Sequence, residues 1–239
     1  MKEKQLVVIT GASKGIGKAL AIKFAEESYP CLLISRHITP IDELLENKHV
    51  HYASVDITDY AVLEKAIREV EKIYGKTECL INNAGHLKVG DFSSLPIETC
   101  HYELDVLVKG VINGIKIVLP DMSSRKTGSI INISSAGDRK PYPTAVVYHA
   151  SKHAVRCISE SLQMAEAKNN VRIMNIAPGL IRTNIHENMG ISFEEYCSLL
   201  GNPTFIEPKE LAEIIYFCFK LPQKICIRDI LIMPTDCNF

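Results

Sequence analysis

Apolar residues in this chain fall into short runs separated by longer stretches with helical spacing. The runs are Leu6–Thr10, Cys31–Ser35, Val50–Val55, Cys79–Asn82, Ser129–Ser134, Val171–Ile176 and Ile227–Met233. Most are too short for independent helices and are rich in Val and Ile, which predicts strands buried on both faces. Between them lie Ile16–Ser28, Tyr60–Tyr74, Ile97–Met122, Tyr148–Lys168 and Pro208–Lys220, all with helical periodicity. In the second of these, Val62, Ala66, Ile67, Val70 and Ile73 are expected to line one face. Alternating strands and helices predict an α/β fold, a doubly wound parallel sheet with helices on both sides and right-handed crossovers. One long irregular stretch, Ile185 to Phe205, contains Gly190, Gly201 and Pro203. A stretch of that length in a compact domain is expected to be a lid or binding loop. Phe193, Tyr196 and Leu199 fall at i, i+3 and i+6 within it, the spacing of a short lid helix with one apolar face or of simple packing.

The first strand runs into Thr10-Gly11-Ala12-Ser13-Lys14-Gly15-Ile16-Gly17, which opens the first helix. Glycine lets the chain turn sharply and lets backbone N–H groups approach phosphate oxygens, while the helix N-terminus favours negative charge. The spacing is G-x-x-x-G-x-G. Gly11 to Gly15 also matches G-x-S-x-G, but a nucleophile elbow needs an earlier loop to supply an oxyanion donor, and only one strand precedes Ser13. A phosphate loop of the G-x-x-x-x-G-K-S/T kind fails because Ala19 follows Gly17-Lys18.

An NAD site usually places an acid about 20 residues after the glycines, on the ribose 2′-OH. Here the second strand ends Ile34-Ser35-Arg36-His37, with a cation and no acid. A guanidinium suits a 2′-phosphate, and Lys14 would add a second positive charge, so the expected cofactor is NADP(H). Asp56, in Val55-Asp56-Ile57, is a candidate adenine contact or an N-cap for the helix starting near Tyr60.

Tyr148-His149-Ala150-Ser151-Lys152 carries the most informative chemistry. Residues i and i+4 share a helical face, so phenol and ammonium converge. A tyrosine with a pKa of roughly 10 is a poor base at neutral pH, and a nearby cation lowers that value. Such a tyrosine exchanges a proton with an alcohol or carbonyl oxygen as a hydride moves. Ser135 lies at the end of the strand Ser129–Ser134, where its hydroxyl can orient the same oxygen. Asn82-Asn83-Ala84-Gly85 and Pro178-Gly179, with Thr183 shortly after, also fall at strand carboxyl ends, where open α/β sheets bind ligands.

Together these motifs resemble the short-chain dehydrogenase/reductase family in order and spacing, from residue 5 to about 185. The resemblance implies one Rossmann-like domain over residues 1–239 with a seven-stranded parallel sheet. It implies Tyr148 as general acid/base, Lys152 on the nicotinamide ribose and Ser135 on the carbonyl oxygen. Gly11, Gly15 and Gly17 would line the pyrophosphate, with Asn83 near the adenosine half. Pro178, Gly179, Leu180 and Thr183 would contact nicotinamide. Ser13, Lys14, Ile16, Arg36, Asp56, Ile57, Ala84 and Gly85 complete the expected cofactor site. Family members are commonly dimers or tetramers, which places an interface on Ile97–Met122 and Tyr148–Lys168.

Composition narrows the partners. The 239 residues suit one large domain, and 27 Lys and Arg against 28 Asp and Glu leave a net charge of −1. That balance gives no electrostatic case for nucleic acid or an anionic membrane. No run approaches the 18 or so apolar residues of a membrane span, and the N-terminus lacks a signal-peptide core, so a cytosolic chain is expected. Eight cysteines contain no C-x-x-C pair, which removes zinc and thioredoxin-like readings. Several sit in apolar runs and are expected to be small buried hydrophobes.

One position departs from the family pattern. The helix before the serine strand usually carries V-N-x-x-G, with an Asn that helps hold a proton-relaying water. Here the run is Asp105-Val106-Leu107-Val108-Lys109-Gly110, so the place falls on Leu107. Asn113 is about 240° further round the helix and a poor substitute. His149 points about 100° away from Tyr148 and is expected to pack or face solvent. His86 and Tyr142 are candidates for the substrate cleft or plain loop residues. The resulting expectation is an NADP(H)-dependent oxidoreductase interconverting a small or medium neutral carbonyl compound and a secondary alcohol. The alternative is a non-catalytic NADP(H) sensor on the same fold, which Leu107 favours.

Overall fold

The seven strands expected from the apolar runs form one parallel sheet with helices on both faces. A computed structural model describes residues 4–183, 185 and 192–237. The strands are β1 (Val7–Thr10), β2 (Cys31–Ser35), β3 (Val50–Ser54), β4 (Cys79–Asn82), β5 (Ser129–Ile133), β6 (Arg172–Pro178) and β7 (Asp229–Ile232). The helices are α1 (Gly15–Glu26), α2 (Tyr60–Tyr74), α3 (Ile97–Leu104), α4 (Gly110–Arg125), α5 (Val146–Glu166), α6 (Phe193–Leu199) and α7 (Pro208–Lys220). The strand order is β3-β2-β1-β4-β5-β6-β7. Chain direction across the sheet reverses between β1 and β4, which opens a crevice at their carboxyl ends. Val7 pairs with Cys31 on one side and Cys79 on the other, so this crevice sits at the centre of the sheet.

Alternation along β1 divides the core. Val7 and Ile9 face a layer that contains Leu20 and Phe24 of α1 and Leu211, Ile215 and Phe219 of α7. Leu6 and Val8 face the opposite layer, with Ile67 of α2, Ile115 of α4 and Val155 of α5. β1, β2, β4, β5 and β6 are buried or nearly so along their lengths. The edge strands depart from the expected two-sided burial. β3 is half-buried and β7 alternates exposed and half-buried positions, because each has a neighbour on one side only.

Three sequence expectations need correction. Leu63, Ile67 and Val70 form the buried face of α2, while Val62 and Ile73 are 46% and 61% exposed. Val62 and Ile73 are eleven residues apart, about three turns, so they share a second, outer stripe. The helix read as Ile97–Met122 is broken by a π-turn at Asp105–Lys109 between α3 and α4. Of the eight cysteines, Cys31, Cys79, Cys100 and Cys218 are buried, but Cys157 is exposed and the other three are half-buried. No helix among the described residues is long and apolar enough to cross a membrane.

Candidate active site

The glycine loop is shaped by backbone that other residues rarely adopt. Gly11 has φ +67° and Gly15 φ +57°. A Cβ on Gly17 would fall on the Gly11 carbonyl oxygen and 2.6 Å from Asn83 Nδ2. Asn83 locks this loop: its Nδ2 donates to the Thr10 and Gly11 carbonyls at 3.0 and 3.1 Å. Thr10 Oγ1 accepts the backbone N–H groups of Asn83 and Ala84 at 3.0 and 3.1 Å. The first turn of α1 contains no acid, so its N-terminus presents unopposed positive dipole.

A cleft of about 480 Å³ opens over this loop. Gly11, Ser13, Lys14, Gly15, Ile16, Arg36, Asp56, Ile57, Asn83, Ala84, Gly85 and Thr183 converge on it. Gly17 lies beneath, buried against the loop, and Gly179 and Leu180 turn instead to a neighbouring pocket. Pro178 is the buried last residue of β6 and lines neither space. Ser35, His37, Tyr102 and Val106 also line the cleft. Tyr102 and Val106 carried no signal in the sequence, since they reach the cleft only because the chain from α3 into the π-turn crosses over it. Ser13 Oγ lies 3.2 Å from Ser35 Oγ, and the exposed Arg36 guanidinium sits 5.3 Å from the centre of the Tyr102 ring. Asp56 does not cap α2. It accepts the Thr58 N–H at 2.9 Å, while Asp59 accepts the Val62 N–H as the cap. The cleft fits a dinucleotide: two left-handed glycines leave a cradle that would suit phosphate, hydroxyls and a guanidinium stand at the end of β2, and the buried Tyr102 hydroxyl has no partner among the described residues.

Beside it lies a pocket of about 400 Å³. Ser135 follows β5 and accepts the Gly137 N–H at 3.1 Å, capping a short turn at Ala136–Asp138. Tyr148, in the first turns of α5, is hydrogen-bonded to Ser135. Lys152, one turn on, is buried and donates to the Ile133 carbonyl at 2.8 Å. Its Nζ lies 5.6 Å from the centre of the Tyr148 ring. Burial pushes the Tyr148 phenol up to about 12, with the Ser135 hydrogen bond pulling the other way. Burial also lowers Lys152 to about 8, with Asp138 opposing. Desolvation dominates the tyrosine's shift, and the expected lowering by the lysine is not among its causes in this structure.

The remaining walls are mostly apolar, among them Leu87, Val89, Leu180, Ile181, Leu200 and Phe205. Tyr142, Thr144, His149 and Tyr196 contribute the other polar side chains. His149 is both packed and pocket-lining, since α5 sets its ring against Tyr142 and Tyr148. His86 does not line this pocket; its ring packs edge-on against Tyr102 at 5.3 Å. The short helix expected near Phe193 is α6, started by a capping box between Ser192 and Glu195. Phe193 packs on Phe205 at 5.0 Å, and Tyr196 reaches the pocket. Residues 186–191 of the expected lid, and the side chain of Leu199, lie outside the described residues.

Leu107 is 1% exposed in the π-turn, and its Cδ2 lies 3.7 Å from where a Cβ on Gly85 would stand. Asn113 Nδ2 donates to the Ile57 carbonyl at 2.9 Å, so it does not replace the missing amide. Sequence reasoning missed two polar networks under the site, the first of them buried. Asn82 donates to Asn132, and Asn132 to Ser159, tying β4 and β5 to α5. Arg139 bridges Asp138 and Asp229, and Asn175 donates to both carboxylates, fixing the turn after Ser135 to β6 and β7.

Comparison with known proteins agrees with this geometry. Residues 5–191 match the family model for short chain dehydrogenase. An uncharacterized oxidoreductase of Listeria monocytogenes is 30% identical over 242 residues, covering 98% of this chain and 98% of that protein. The structure of ElxO with NADP bound has a TM-score of 0.86 at 25% identity, covering 96% of this chain and 97% of that one. A closed form of serine dehydrogenase complexed with NADP+ shares the fold, with a TM-score of 0.91 at 24% identity over 98% of this chain and 97% of that one. A glycine cradle at the sheet's reversal point, a serine–tyrosine–lysine group beside it and a family match over most of the chain lead to one assignment: the protein belongs to the short-chain dehydrogenase/reductase family of oxidoreductases.

Proposed function

We propose that this protein is an NADP(H)-dependent oxidoreductase that interconverts a carbonyl compound and a secondary alcohol. The observation that carries the reading is the Ser135–Tyr148–Lys152 group: Ser135 and Tyr148 stand in the wall of an apolar pocket that shares Ile185 with the glycine-lined cleft, and Lys152 is buried one turn behind Tyr148. Gly11, Gly15 and the α1 N-terminus would hold the pyrophosphate, Arg36 and Lys14 the 2′-phosphate, and Asp56 and Ile57 the adenine. Bound NADP(H) supplies or accepts the hydride. Tyr148 gives its phenolic proton to the substrate oxygen in reduction and takes it back in oxidation. Ser135 donates a hydrogen bond to that oxygen, and the Lys152 ammonium stabilises the phenolate left on Tyr148. The preference for NADP(H) is supported by an arginine and no carboxylate at the end of β2. A homodimer or homotetramer is supported by exposed Ile97, Leu104, Ile112 and Met164 on α3, α4 and α5. The segment around 185–205, with α6, would act as the lid.

The test is NADPH oxidation across ketones and aldehydes, with Tyr148→Phe beside the wild type. Turnover is expected to fall by about 10²-fold or more in the variant, with NADPH binding retained. Undiminished turnover in a folded Tyr148→Phe preparation overturns the mechanism. The buried Leu107 favours a second reading, a non-catalytic NADP(H) sensor. NADPH binding without turnover of any carbonyl would support that reading over the first.

A further inference from the structure

Glu103 lies on the buried side of α3 and is 1% exposed, an acid that the hydride and proton transfers above leave unused. Its Oε1 accepts the Lys88 backbone N–H at 2.8 Å, which is its one hydrogen bond among the described residues. Burial raises its pKa, and the Lys88 N–H is the one group that opposes the rise. Taking a carboxyl out of water without a cation costs stability, and an apolar side chain of similar size would fill the space without that cost. Packing alone therefore gives no reason for an acid at this position.

The hydrogen bond gives one. Lys88 lies in the segment between β4 and α3, and its neighbours Leu87 and Val89 line the apolar pocket in which Ser135 and Tyr148 stand. From Gly85 to Gly90, the backbone N–H groups with protein acceptors among the described residues are those of Lys88 and Gly90. Lys88 donates to Glu103, and Gly90 donates to the Thr144 carbonyl at 2.9 Å. Thr144 lines the same pocket. Leu107, about one turn after Glu103, meets the near end of the segment at Gly85. The buried face that carries Glu103 and Leu107 thus touches the segment twice, and of the two contacts the Glu103 hydrogen bond is the directional one.

We propose that Glu103 is a positioning residue for the substrate: through the Lys88 N–H it fixes the Leu87–Val89 wall of the pocket, and so sets how well the site accepts a ketone with a long apolar chain. The inference rests on the reductase reading above. A short ketone is held chiefly by its oxygen at Ser135 and Tyr148. A longer one also gains from burying its chain against the apolar walls, and that gain depends on the wall staying in place.

The test compares 2-butanone with 2-octanone in the wild type, Glu103→Gln and Glu103→Leu, with Tm and NADPH binding recorded for each. Gln keeps an oxygen acceptor for the Lys88 N–H, and Leu does not. The wild type is expected to favour 2-octanone in kcat/KM. Glu103→Leu is expected to raise KM for 2-octanone by about tenfold, the worth of one hydrogen bond, with kcat and the constants for 2-butanone within about twofold. Glu103→Gln is expected to stay within about threefold of the wild type for both ketones. Amide exchange at Lys88, followed by NMR, is expected to be about tenfold faster in Glu103→Leu than in the wild type or Glu103→Gln, and this readout does not depend on turnover. Equal losses for both ketones, a glutamine variant as impaired as the leucine one, or no wild-type preference for 2-octanone would overturn the role of Glu103 and leave the reductase reading intact. A Lys88 amide that exchanges freely in the wild type would overturn it without any variant. Failure of the wild type to reduce either ketone while binding NADPH, with the Lys88 amide protected, would overturn the reductase reading and the substrate role that rests on it.

Discussion

Lys152 Nζ is held 2.8 Å from the Ile133 carbonyl oxygen and 5.6 Å from the centre of the Tyr148 ring, buried and, among the described residues, without an ion-pair partner. Burial lowers its pKa from 10.5 to about 8. Between those values the unfolded chain binds the extra proton, so stability contributed at this site rises with pH across that window. Below about pH 8 the folded protein carries the full cost of the buried charge. Lys152→Met is therefore expected to raise Tm at pH 7 by a few degrees, for a net gain of about 1–2 kcal/mol after loss of the Ile133 hydrogen bond. The advantage should vanish above about pH 10.5, where the wild-type lysine is neutral in both states. Thermal denaturation at pH 7 and pH 10.5 checks the sign, and turnover should be lost at both.

Arg36 lies exposed at the end of β2 with its guanidinium over Tyr102. If it holds a 2′-phosphate, Arg36→Glu replaces a charge-assisted contact by repulsion. The expected result is a rise of roughly 100-fold in KM for NADPH, with KM for NADH changed less than about threefold. Steady-state kinetics with both cofactors measure the ratio. An unchanged ratio would assign Arg36 to packing on Tyr102 alone.

The parts of this protein that were legible in the sequence are those fixed by local periodicity and by contiguous motifs. All seven strands appear as apolar runs, and the glycine loop, Ser135, Tyr148 and Lys152 could be placed from strand ends and helical spacing. What was not legible depends on which helix crosses which strand. Tyr102 reaches the cofactor cleft, and Arg139 and Asn175 bridge Asp138 to Asp229, through contacts separated by up to 90 positions in the chain. The role of Asn83 was half legible. It stands in a recognisable motif, but its action depends on a partner elsewhere, the Gly11 carbonyl. The buried face of α2 was misread because Leu63 and Val62 are adjacent in sequence and only tertiary packing chooses between their stripes.

Gly17 tests the packing beneath the cleft. A Cβ there meets the Gly11 carbonyl, which is backbone, and Asn83 Nδ2, which is pinned by two hydrogen bonds. Neither can yield without moving the phosphate-facing loop. Gly17→Ala is expected to lower stability by about 1–3 kcal/mol and Tm by several degrees. NADPH affinity should fall by more than that stability loss alone would produce. Calorimetric unfolding together with NADPH fluorescence titration separates the two effects.

Leu107 bears on whether a relay group near Lys152 is required for turnover. The residue is buried in the π-turn against Gly85, where the family pattern has an amide that helps hold a water. Leu107→Asn buries a polar group in an apolar setting, so Tm is expected to fall by a few degrees, for a cost of about 1–3 kcal/mol. The fold should survive, since the π-turn is already formed with leucine. Turnover at saturating NADPH and ketone is expected to be unchanged or raised, because asparagine supplies the polar atoms that leucine lacks. A rise would mean that leucine slows proton delivery to the Lys152–Tyr148 pair, and an unchanged rate would mean that proton transfer does not limit the wild type. A large loss of turnover in a folded variant would instead make Leu107 a fitted apolar wall, and its role would then be to shape the site rather than to lack a relay.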